Sequence, residues 1–520
     1  MCGIFFAKNI ESKLRDQAFD LMNHRGPDFS LIKKYGDYSL GHKRLSIIDL
    51  DDRSSQPFLA SDNKTTIIFN GEIYNYKELK ERFNLRVKTN SDTEILVELY
   101  LKIGKRFLDE LNGMFSFVIF NTENNDIFIA RDRLGIKPLY YYQDNNKFIF
   151  CSEIAPILKI IGNTDYDLVG IRQYLKLRTF FRNHTLYKNI KSFPAGFYYK
   201  NGQFRQYWSI EDSNNSNWHD DDLRNLIESS IKYRQVADVE TGSYLSGGID
   251  SSIIAILARQ KHSWTIGFNN FNEFEYAKLV ADKYNLQHHE VLASREEFKE
   301  IATKLIKFRK EPLSVPNEVL LYQMTKEVKK LNTVVLSGEG ADELFFGYDR
   351  IFTWASKHEF DLKQFDKHYS YGTHDDNEII DYILEPYSHI KSNIDKVATF
   401  FQLDHLHGLL RRLDNSSMMC SVEARVPFVD HRLIEYMYRS PFNYRVENNC
   451  FKAPLKRIFS DILPKEVINR KKVGFPVPLE DIFSNNSSGV DGWLQFNLQT
   501  LVGENNYKDL ISEFKINNVF

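Results

Sequence analysis

The chain reads Ser246-Gly247-Gly248-Ile249-Asp250-Ser251-Ser252 where an apolar, strand-like run ends and an apolar, helical run begins. The two glycines allow positive φ angles and a close approach of the backbone to a ligand. The serines place hydroxyl groups beside free N–H groups at a helix N-terminus, where the helix dipole favours an anion. No Gly-Lys-Ser/Thr follows, so this is not a Walker loop. The stretch predicts a phosphate-binding loop in an α/β domain.

This seven-residue string resembles the pyrophosphate loop of ATP pyrophosphatases. Those enzymes cleave ATP between its α and β phosphates and transfer AMP to a substrate. A glycine turn capped by a serine is the structural alternative. That alternative explains a bare Gly-Gly pair better than it explains the full string.

Further apolar runs around the loop end in glycine-containing polar segments. They are Gly242–Leu245, Trp264–Phe268 and Thr333–Leu336. Such alternation predicts a parallel sheet flanked by helices, with ligands at the carboxyl ends of the strands. The third run leads into the acidic loop Ser337–Glu343, so Asp250 and Asp342 are expected to hold Mg²⁺ together with the phosphates of ATP. A polar surface loop would explain the glycines there but not the three carboxylates.

The first 150 or so residues have a different pattern, of short strands, tight turns and a few helices. Ile95, Leu96, Leu99 and Ile103 share one face of a helix predicted over Asp92–Ile103. Strands and helices in this order predict an α+β layered domain.

Cys2 is the candidate nucleophile of this first domain. Removal of Met1 would leave Cys2 with a free α-amino group, whose pKa near ~8 allows it to accept the proton of the thiol. Nucleophile and base then belong to one residue, and no catalytic histidine is required.

Four strings accompany Cys2. They are His24-Arg25-Gly26-Pro27-Asp28, His42-Lys43-Arg44-Leu45-Ser46, Asn70-Gly71-Glu72-Ile73-Tyr74-Asn75 and Asn90-Ser91-Asp92-Thr93-Glu94. Together they resemble the class II glutamine amidotransferases, which have the N-terminal-nucleophile hydrolase fold. Taken singly, Arg44 is as compatible with a surface ion pair, and Asn70-Gly71 with a hairpin turn.

The resemblance implies roles for these residues. Arg44 would pair with the α-carboxylate of glutamine, and Asp92 with the Gly71-Glu72 segment would hold its α-ammonium. The Asn70 side chain and the Gly71 N–H would form an oxyanion hole. The implied glutamine-binding set is Arg44, Ile48, Asn70, Gly71, Glu72 and Asp92.

Both halves together resemble the glutamine-hydrolysing asparagine synthetase family. The match continues through Leu409–Asp414, Ser421–Asp430 and Arg470–Pro476. It implies that ATP adenylates the side-chain carboxylate of aspartate and that ammonia from glutamine, carried by an internal tunnel, gives asparagine, AMP and pyrophosphate. Glu339 would act on the ammonia, and Lys452 would neutralise the α-phosphate, although Pro454 interrupts a helical pattern beside it. The implied catalytic set is Cys2, Asn70, Gly71, Glu339 and Lys452; the ATP-binding set is Leu245, Ser246, Gly247, Gly248, Asp250, Ser251, Ser252, Ile266, Gly267, Ser337 and Gly338.

The same resemblance implies a domain organisation. A four-layer αββα N-terminal-nucleophile hydrolase sandwich would occupy residues 2–195, followed by a linker at 196–220. An α/β parallel-sheet synthetase domain with many helices would occupy 221–520. A homodimer is an allowed assembly.

The acceptor is the open point. Glu311–Glu318 does not match the Thr/Arg-containing stretch of asparagine-making members, and Phe346 stands where a glycine is usual, which would narrow or reshape the acceptor site. Aspartate is the predicted acceptor, and a uronic acid of surface polysaccharide synthesis is the alternative. Two alternatives belong to a different functional class: a non-catalytic homologue and a stand-alone glutaminase.

Composition excludes several other classes. The 520 residues carry a net charge of −2, so no nucleic-acid or polybasic membrane surface is expected. The four cysteines contain no CxxC pattern, and no apolar run reaches the ~18–20 residues of a membrane span. The N-terminus lacks the pattern of a secretory signal, and the cytoplasm is the expected compartment.

Overall fold

The computed structural model describes residues 2–162, 164–213, 215–470, 477–483 and 488–513. In the first part of the chain, two six-stranded antiparallel sheets lie face to face; in the second, a five-stranded parallel sheet is surrounded by helices. Met1 and residues 471–476 of the C-terminal motif lie outside the described residues. No described helix is both long and apolar enough to cross a membrane.

Twelve strands build the two antiparallel sheets, in the orders β10-β8-β9-β1-β3-β2 and β12-β11-β7-β6-β5-β4. They are β1 Gly3–Lys8, β2 Phe29–Tyr35, β3 Tyr38–Arg44, β4 Phe58–Leu59, β5 Thr65–Ile73, β6 Gly113–Asn121, β7 Ile127–Arg131, β8 Tyr140–Gln143, β9 Phe148–Cys151, β10 Lys191–Ser192, β11 Phe197–Lys200 and β12 Gln203–Gln206. The helices of this part are α1 Ser12–Asp20, α2 Tyr76–Arg82, α3 Asp92–Ile103, α4 Phe107–Glu110, α5 Ile154–Ile161 and α6 Leu168–Leu177.

The alternation of side chains along each strand produces four layers. On β1, Ile4 and Phe6 pack between the two sheets, whereas Phe5 and Ala7 pack with residues of α1 and α5. The second sheet likewise covers its outer face with residues of α2 and α3. The predicted αββα sandwich is confirmed, and α3 has the predicted bounds.

Two details of the first part differ from the sequence prediction. Asn70 and Gly71 are not a hairpin turn, because they lie inside β5 and pair with Ser116 and Phe115 of β6. Strands β11 and β12 extend the second sheet through β7, although they fall in the stretch 196–220 that was expected to be a linker. We therefore propose that the first domain extends to Gln206.

The second part is built on a parallel sheet of order β15-β14-β13-β16-β17. Its strands are β13 Thr241–Tyr244, β14 His262–Gly267, β15 Gln287–Leu292, β16 Val334–Leu336 and β17 Glu423–Arg425; β18 Val446–Glu447 and β19 Cys450–Phe451 form a separate hairpin. The helices are α7 Asp220–Arg234, α8 Ile249–Ala258, α9 Phe274–Tyr284, α10 Arg295–Arg309, α11 Asn317–Val328, α12 Ala341–Leu344, α13 Asp349–Lys357, α14 Leu362–Tyr369, α15 Asn377–Leu384, α16 Asn393–Phe400, α17 Leu406–Met418, α18 His431–Met437, α19 Phe442–Arg445, α20 Ala453–Ile458, α21 Lys465–Asn469, α22 Leu479–Ile482, α23 Gly489–Val502 and α24 Glu504–Glu513.

The order of the strands places the two predicted loops side by side. Strands β13 and β16 are parallel neighbours at the centre of the sheet. The loop 246–248 follows the first of them and the loop 337–340 follows the second, so both lie at the carboxyl edge, where ligands bind in such sheets.

Phe346, which was expected to narrow or reshape the acceptor site, has a buried ring. Its ring lies in a separate helical cluster, 1% exposed and stacked 4.1 Å from the ring of Phe352. The guanidinium of Arg445 covers the ring at 4.2 Å. Phe346 has a φ of +58°, the left-handed region that favours glycine, so the packing of the ring offsets a conformational cost.

A buried carboxylate joins the two parts of the molecule. Asp430, fully buried, accepts hydrogen bonds from Arg432 at 2.8 Å, from Arg234 of α7, and from Asn112 Nδ2 of the first part at 3.3 Å. Burial alone would raise the pKa of Asp430, but Arg234 and the other basic neighbours hold it well below its usual range. The carboxylate therefore stays ionised and compensates the buried guanidinium of Arg234.

Asp430→Ala is expected to destabilise the protein by about 3–5 kcal/mol, because it leaves the Arg234 charge buried without its partner. Urea unfolding followed by tryptophan fluorescence measures the change. Asp461→Ala is the matched control, since Asp461 pairs with Arg224 on the surface at 3.3 Å and should change stability by less than about 1 kcal/mol. Equal stabilities of the two variants would contradict a role for Asp430 in joining the two parts.

Candidate active sites

Cys2 lies at the start of β1 and contacts β5 of the other sheet. Its backbone N donates a hydrogen bond to Asn70 Oδ1 at 3.1 Å, and its Sγ lies 4.0 Å from the carbonyl oxygen of Leu45. Burial raises the pKa of the thiol above its ordinary value, so the thiol needs a base to react. The nitrogen that would become the α-amine after loss of Met1 is the one that Asn70 holds.

Asn70 presents a donor beside the thiol. It is fully buried, and its Nδ2 has no hydrogen-bond partner within the described part of the chain. A buried donor left unsatisfied costs free energy, which an incoming oxyanion would recover. Gly71 follows in the same strand, paired with Phe115, so side-chain and backbone donors of the predicted oxyanion hole are adjacent.

Two buried carboxyl groups lie beside this pair. Burial and then the charge of Glu423 raise the pKa of Glu72 well above its usual value, and burial raises the pKa of Asp92 to about 7. Asp92 Oδ2 accepts from the Ile73 N–H at 2.9 Å. Glu72 pairs with Arg425 at 3.5 Å through one oxygen, while its Oε2 is buried without a hydrogen-bond partner among the described residues. The two buried carboxyl groups would favour a cationic ligand between them.

Arg44 is buried, but the loop after β3 already holds it. Its guanidinium donates to the carbonyl of Asp51 at 2.9 Å, to Ser55 Oγ at 3.1 Å and to the carbonyl of Asp49. These bonds use three of its five N–H groups, so a carboxylate would bind the remaining ones or displace the loop. Ile48, also buried, packs in the core between β5 and α3.

Arg25 is a positioning residue that the sequence analysis did not single out. Its Nε donates to the Cys2 carbonyl at 3.1 Å, and its Nη atoms reach Glu153 at 3.2 Å and Asp414 of α17 at 3.0 Å. The side chain is fully buried. The signal in the sequence was the position of Arg25 inside one of the four strings, but its partners lie 128 and 389 residues away.

The phosphate loop has the geometry of an anion cradle. Gly247 has a φ of +70°, and a Cβ there would lie 2.5 Å from the backbone of Tyr276 and Ala277, so only glycine fits. Ser246 and Ser251 bond to each other through their hydroxyls at 3.1 Å. Gly248 begins α8 without a side-chain cap. Ser252 Oγ is fully buried and lacks a hydrogen-bond partner in the described ranges.

Lys452 lies between the two predicted carboxylates. Its Nζ is 2.5 Å from Asp250 Oδ2 and 2.6 Å from Asp342 Oδ1, and the residue is 6% exposed. It precedes α20, so Pro454 occupies the first turn of that helix, where proline is tolerated. The expected interruption at Pro454 is therefore wrong, and Lys452 is not a solvated surface lysine.

The donor set fits Mg²⁺. Asp250 and Asp342 converge on one cationic group, the Lys452 ammonium, in a protein that presents an anion cradle next to them. No cluster of three or more His, Cys, Asp or Glu side chains able to hold a metal occurs among the described residues. Two carboxylates plus phosphate oxygens and water is the usual arrangement for Mg²⁺ in nucleotide sites.

The other predicted ATP-binding residues surround the cradle. Leu245 and Ile266 are buried at 0% and 2% exposure at the ends of β13 and β14. Gly267 ends β14. Ser337 donates its N–H to the Arg425 carbonyl at 2.8 Å, and a Cβ on Gly338 would lie 3.2 Å from Asp250 and Ser251, so the two loops touch.

Glu339 is bound by Arg412, a second residue for which the sequence analysis predicted no role. Its Oε1 accepts from Arg412 Nη2 of α17 at 2.5 Å. Helix α17 thus contacts the first site through Asp414 and the second through Arg412. The sequence analysis placed both residues in Leu409–Asp414, one of the strings that carry the family resemblance, but gave no sign of their partners.

Comparison with known proteins gives a family match for each half of the chain. The asparagine synthase family matches residues 222–494, and the glutamine amidotransferase domain matches residues 1–208. The chain is 34% identical over 389 residues to the putative asparagine synthetase [glutamine-hydrolyzing] 2 of Methanocaldococcus jannaschii, covering 67% of this chain and 76% of that protein. It is 30% identical to asparagine synthetase [glutamine-hydrolyzing] 1 of Bacillus subtilis, covering 91% and 85%.

Among solved structures, the chain is similar to the glutamine phosphoribosylpyrophosphate amidotransferase of B. subtilis complexed with ADP and GMP. The sequence identity is 14% and the TM-score 0.31, with 68% of this chain and 78% of that one covered.

Glutamine binding is expected to strengthen as the pH rises through about 7. Below its pKa of about 7 the Asp92 carboxyl is neutral; above it, the carboxylate can pair with the α-ammonium of glutamine. The dissociation constant should fall about tenfold between pH 6 and pH 8. Calorimetry in a Cys2→Ala background measures binding without turnover.

Asp92→Asn should weaken binding and flatten this profile. Asp144→Asn is the control, since hydrogen bonds from the N–H groups of Lys147 and Asn146 lower the pKa of Asp144 on an exposed turn, so it stays ionised over this range. A tenfold slope that survives in the Asp92→Asn variant would assign the titration to another group.

Proposed function

The chain belongs to the glutamine-hydrolysing asparagine synthetase family, and from that premise we propose that it makes asparagine from aspartate. Members of this kind are ATP-dependent amide ligases that take nitrogen from glutamine. The observation that supports this proposal is that one chain contains two groups of candidate catalytic residues. Cys2 contacts Asn70 in the first half, and Lys452 contacts Asp250 and Asp342 in the second.

In the proposed first reaction, Cys2 attacks the side-chain amide of glutamine. The α-amine takes the thiol proton, the sulfur bonds to the amide carbon, and the negative oxygen of the tetrahedral intermediate accepts from Asn70 Nδ2 and the Gly71 N–H. Collapse of the intermediate returns the proton to the leaving nitrogen and releases ammonia. Water then hydrolyses the thioester to glutamate.

The pocket beside Cys2 supports glutamine as the donor. Asp92 and Glu72 are buried carboxyls whose pKa values burial has raised. An α-ammonium placed between them would restore their charged forms and hold the substrate. Asn70, which precedes Gly71 and Glu72 on β5, would then face the side-chain amide.

In the proposed second reaction, the acceptor carboxylate attacks the α-phosphorus of ATP and pyrophosphate leaves. The loop 246–252 would hold the departing pyrophosphate through its N–H and hydroxyl groups. Lys452 would neutralise the α-phosphate, and Asp250 and Asp342 would hold Mg²⁺. When bound, Mg²⁺ supplies positive charge to the phosphate oxygens. Lys452, which is paired with both carboxylates, would donate to an α-phosphate oxygen of the bound nucleotide.

Ammonia then attacks the acyl-adenylate, displacing AMP. Glu339 lies at the end of β16 next to the cradle and is oriented by Arg412, so its carboxylate can accept the proton that the attacking nitrogen loses. We propose that ammonia reaches it along α17, which contacts both sites. Glutamine and ATP are available in the cytoplasm, the compartment we propose. The homodimer remains a prediction.

Cys2→Ala is expected to lower glutamine-dependent asparagine formation by at least about a thousandfold, because the nucleophile is lost. Ammonia-dependent formation should persist, because the second site is intact. Mass analysis of the amide product with aspartate, ATP and either nitrogen source measures both. Cys420→Ala, at a partly exposed thiol that contacts the Tyr322 carbonyl at 3.6 Å, is the control.

Loss of both activities in Cys2→Ala would contradict separable sites. Pyrophosphate release with a uronic acid but not with aspartate would replace the proposed acceptor by the alternative one.

Asp250→Asn is expected to lower ATP-dependent pyrophosphate release by roughly a hundredfold, since it removes a charge that holds Lys452 and Mg²⁺. Glutamine hydrolysis should continue. Pyrophosphate and glutamate assays on the same preparation separate the two effects, and Asp282→Asn, in an exposed pair with Lys278, is the control. Unchanged pyrophosphate release would remove the role of Asp250 in the ATP step.

A further inference from the structure

A residue of the second part holds a loop of the first part beside the proposed glutamine site. Asp238 lies in the connection between α7 and β13. Its Oδ2 accepts a hydrogen bond from the Asp49 N–H at 2.8 Å, and its own N–H donates to the Ile47 carbonyl at 2.8 Å. Asp238 therefore fixes the segment 47–51, which we call the Asp49 loop, at two points.

Asp49 connects this contact to both residues that are expected to bind the amino-acid end of glutamine. Its carbonyl accepts a hydrogen bond from the guanidinium of Arg44, the residue expected to bind the α-carboxylate. Its carboxylate accepts from the Asn90 N–H at 2.7 Å. Asn90 lies two residues before Asp92, which begins α3 and is expected to bind the α-ammonium. A displacement of Asp49 would thus disturb both binding residues.

The backbone of Asp49 has a conformation that its surroundings must fix. Its φ is +48°, in the left-handed region that is uncommon for a residue with a Cβ, and such conformations persist only where neighbouring contacts hold them. Burial alone would raise the pKa of the Asp49 carboxyl, but hydrogen bonds from Ser54, Asn90 and Asp51 lower it below its usual value. The carboxylate therefore stays an ionised acceptor, while the N–H of the same residue is held by Asp238.

The connection that carries Asp238 is itself held firmly. Arg425, fully buried, donates to the carbonyls of Arg234 and Val236 at 2.8 and 2.7 Å, and it pairs with Glu72 at 3.5 Å. Val236 also packs against the hydrophobic cluster on the outer face of the second sheet. Asp238 thus projects from a segment that has a fixed position relative to the first part.

The exposure of Asp238 separates its effect from the stability of the fold. Its side chain is exposed to solvent, and a hydrogen bond at an exposed site contributes little to the free energy of unfolding of a whole protein. The effect of this contact is local, because it determines where the buried Asp49 lies.

We propose that Asp238 is a positioning residue for the glutamine site and that it acts through Asp49. The inference rests on the proposed function, because it takes Arg44 and Asp92 as the residues that bind the amino-acid end of glutamine. Asp238 fixes the Asp49 loop, and that loop orients the two binding residues. The glutamine site of the first part is thus completed by a residue of the second part.

Asp238→Ala is expected to raise the KM for glutamine in glutamine hydrolysis about tenfold, because a hydrogen bond to a charged acceptor is lost and the Asp49 loop is released. The value of kcat should change less than KM, since Cys2 and Asn70 keep their mutual contact. Ammonia-dependent pyrophosphate release and the KM for ATP should stay the same. Steady-state assays of glutamate and pyrophosphate measure all four quantities.

Two further variants test the mechanism. Asp238→Asn keeps an oxygen that can accept from the Asp49 N–H, so it should restore most of the affinity for glutamine. Glu240→Ala, at an exposed residue of the same connection, is the matched control and should leave the KM for glutamine unchanged. Urea unfolding midpoints equal to that of the parent protein verify that the variants are folded. An unchanged KM in Asp238→Ala, or an equal loss in the glutamine-dependent and ammonia-dependent reactions, would overturn the positioning role.

The closing experiment compares two reagents that alkylate thiols. 6-Diazo-5-oxo-L-norleucine keeps the α-carboxylate and α-ammonium of glutamine, whereas iodoacetamide has neither. Mass spectrometry of the peptide that contains Cys2 measures the rate of labelling by each. Asp238→Ala should lower kinact/KI for the glutamine analogue about tenfold through KI and leave the rate with iodoacetamide unchanged.

The outcomes distinguish the inference from the function on which it rests. Labelling of Cys2 by the glutamine analogue in the parent protein, with the same kinact/KI in Asp238→Ala, would overturn the positioning role alone. An equal slowing with both reagents would also overturn it, because the defect would then lie at the thiol rather than at the amino-acid end. Absence of labelling by the analogue in the parent protein would overturn the proposed glutamine site, and the inference with it.

Discussion

The buried ion pair between Arg25 and Asp414 is the contact on which the two-site arrangement depends. Both partners are buried: Arg25 is 0% exposed and Asp414 is 4% exposed. One end of the arginine fixes the carbonyl of Cys2, and the other is bound to α17. Removing Asp414 would leave the buried guanidinium with Glu153 as a partner, and removing Arg25 would leave Asp414 with Lys137 at 3.8 Å, so either change weakens a buried ion-pair network. Cys2, the proposed nucleophile, is thus held in place by a helix of the second part.

Both sites contain buried polar groups without hydrogen-bond partners. Asn70 Nδ2 and Glu72 Oε2 at the first site, and Ser252 Oγ at the second, lack hydrogen-bond partners among the described residues. In a low-dielectric interior such groups are costly alone but bind a complementary charge strongly. In the proposed function, glutamine and ATP would satisfy these groups on binding and recover the stability lost there, as in other preorganised sites.

The sequence predicted well what is encoded locally. Helix α3 and the strand–loop–helix from Thr241 to Ala258 depend on apolar spacing and glycine within a short stretch of chain, and the structure confirms both elements. Asn70-Gly71 was ambiguous because the same dipeptide forms turns, and only its pairing with β6 decides. The extent of the second sheet was missed because β11 and β12 are only 4 residues each, with no strong alternation of their own.

Residues that act through distant partners could not be predicted from spacing. Lys452 meets Asp250 across 202 positions, and the proline beside it was misread because its place in the first turn of α20 depends on where the helix begins. Arg25 and Asp414 are the extreme case, since 389 positions separate them.

The same reasoning explains why a family resemblance leaves the acceptor open. The two loops that we propose to act on ATP and ammonia follow adjacent strand ends, and the parallel sheet places them together in any chain with this topology. An acceptor site would instead be built from connecting segments around that edge, and such segments vary more than the strands that they join. A few side chains there could change the acceptor while both loops keep their geometry.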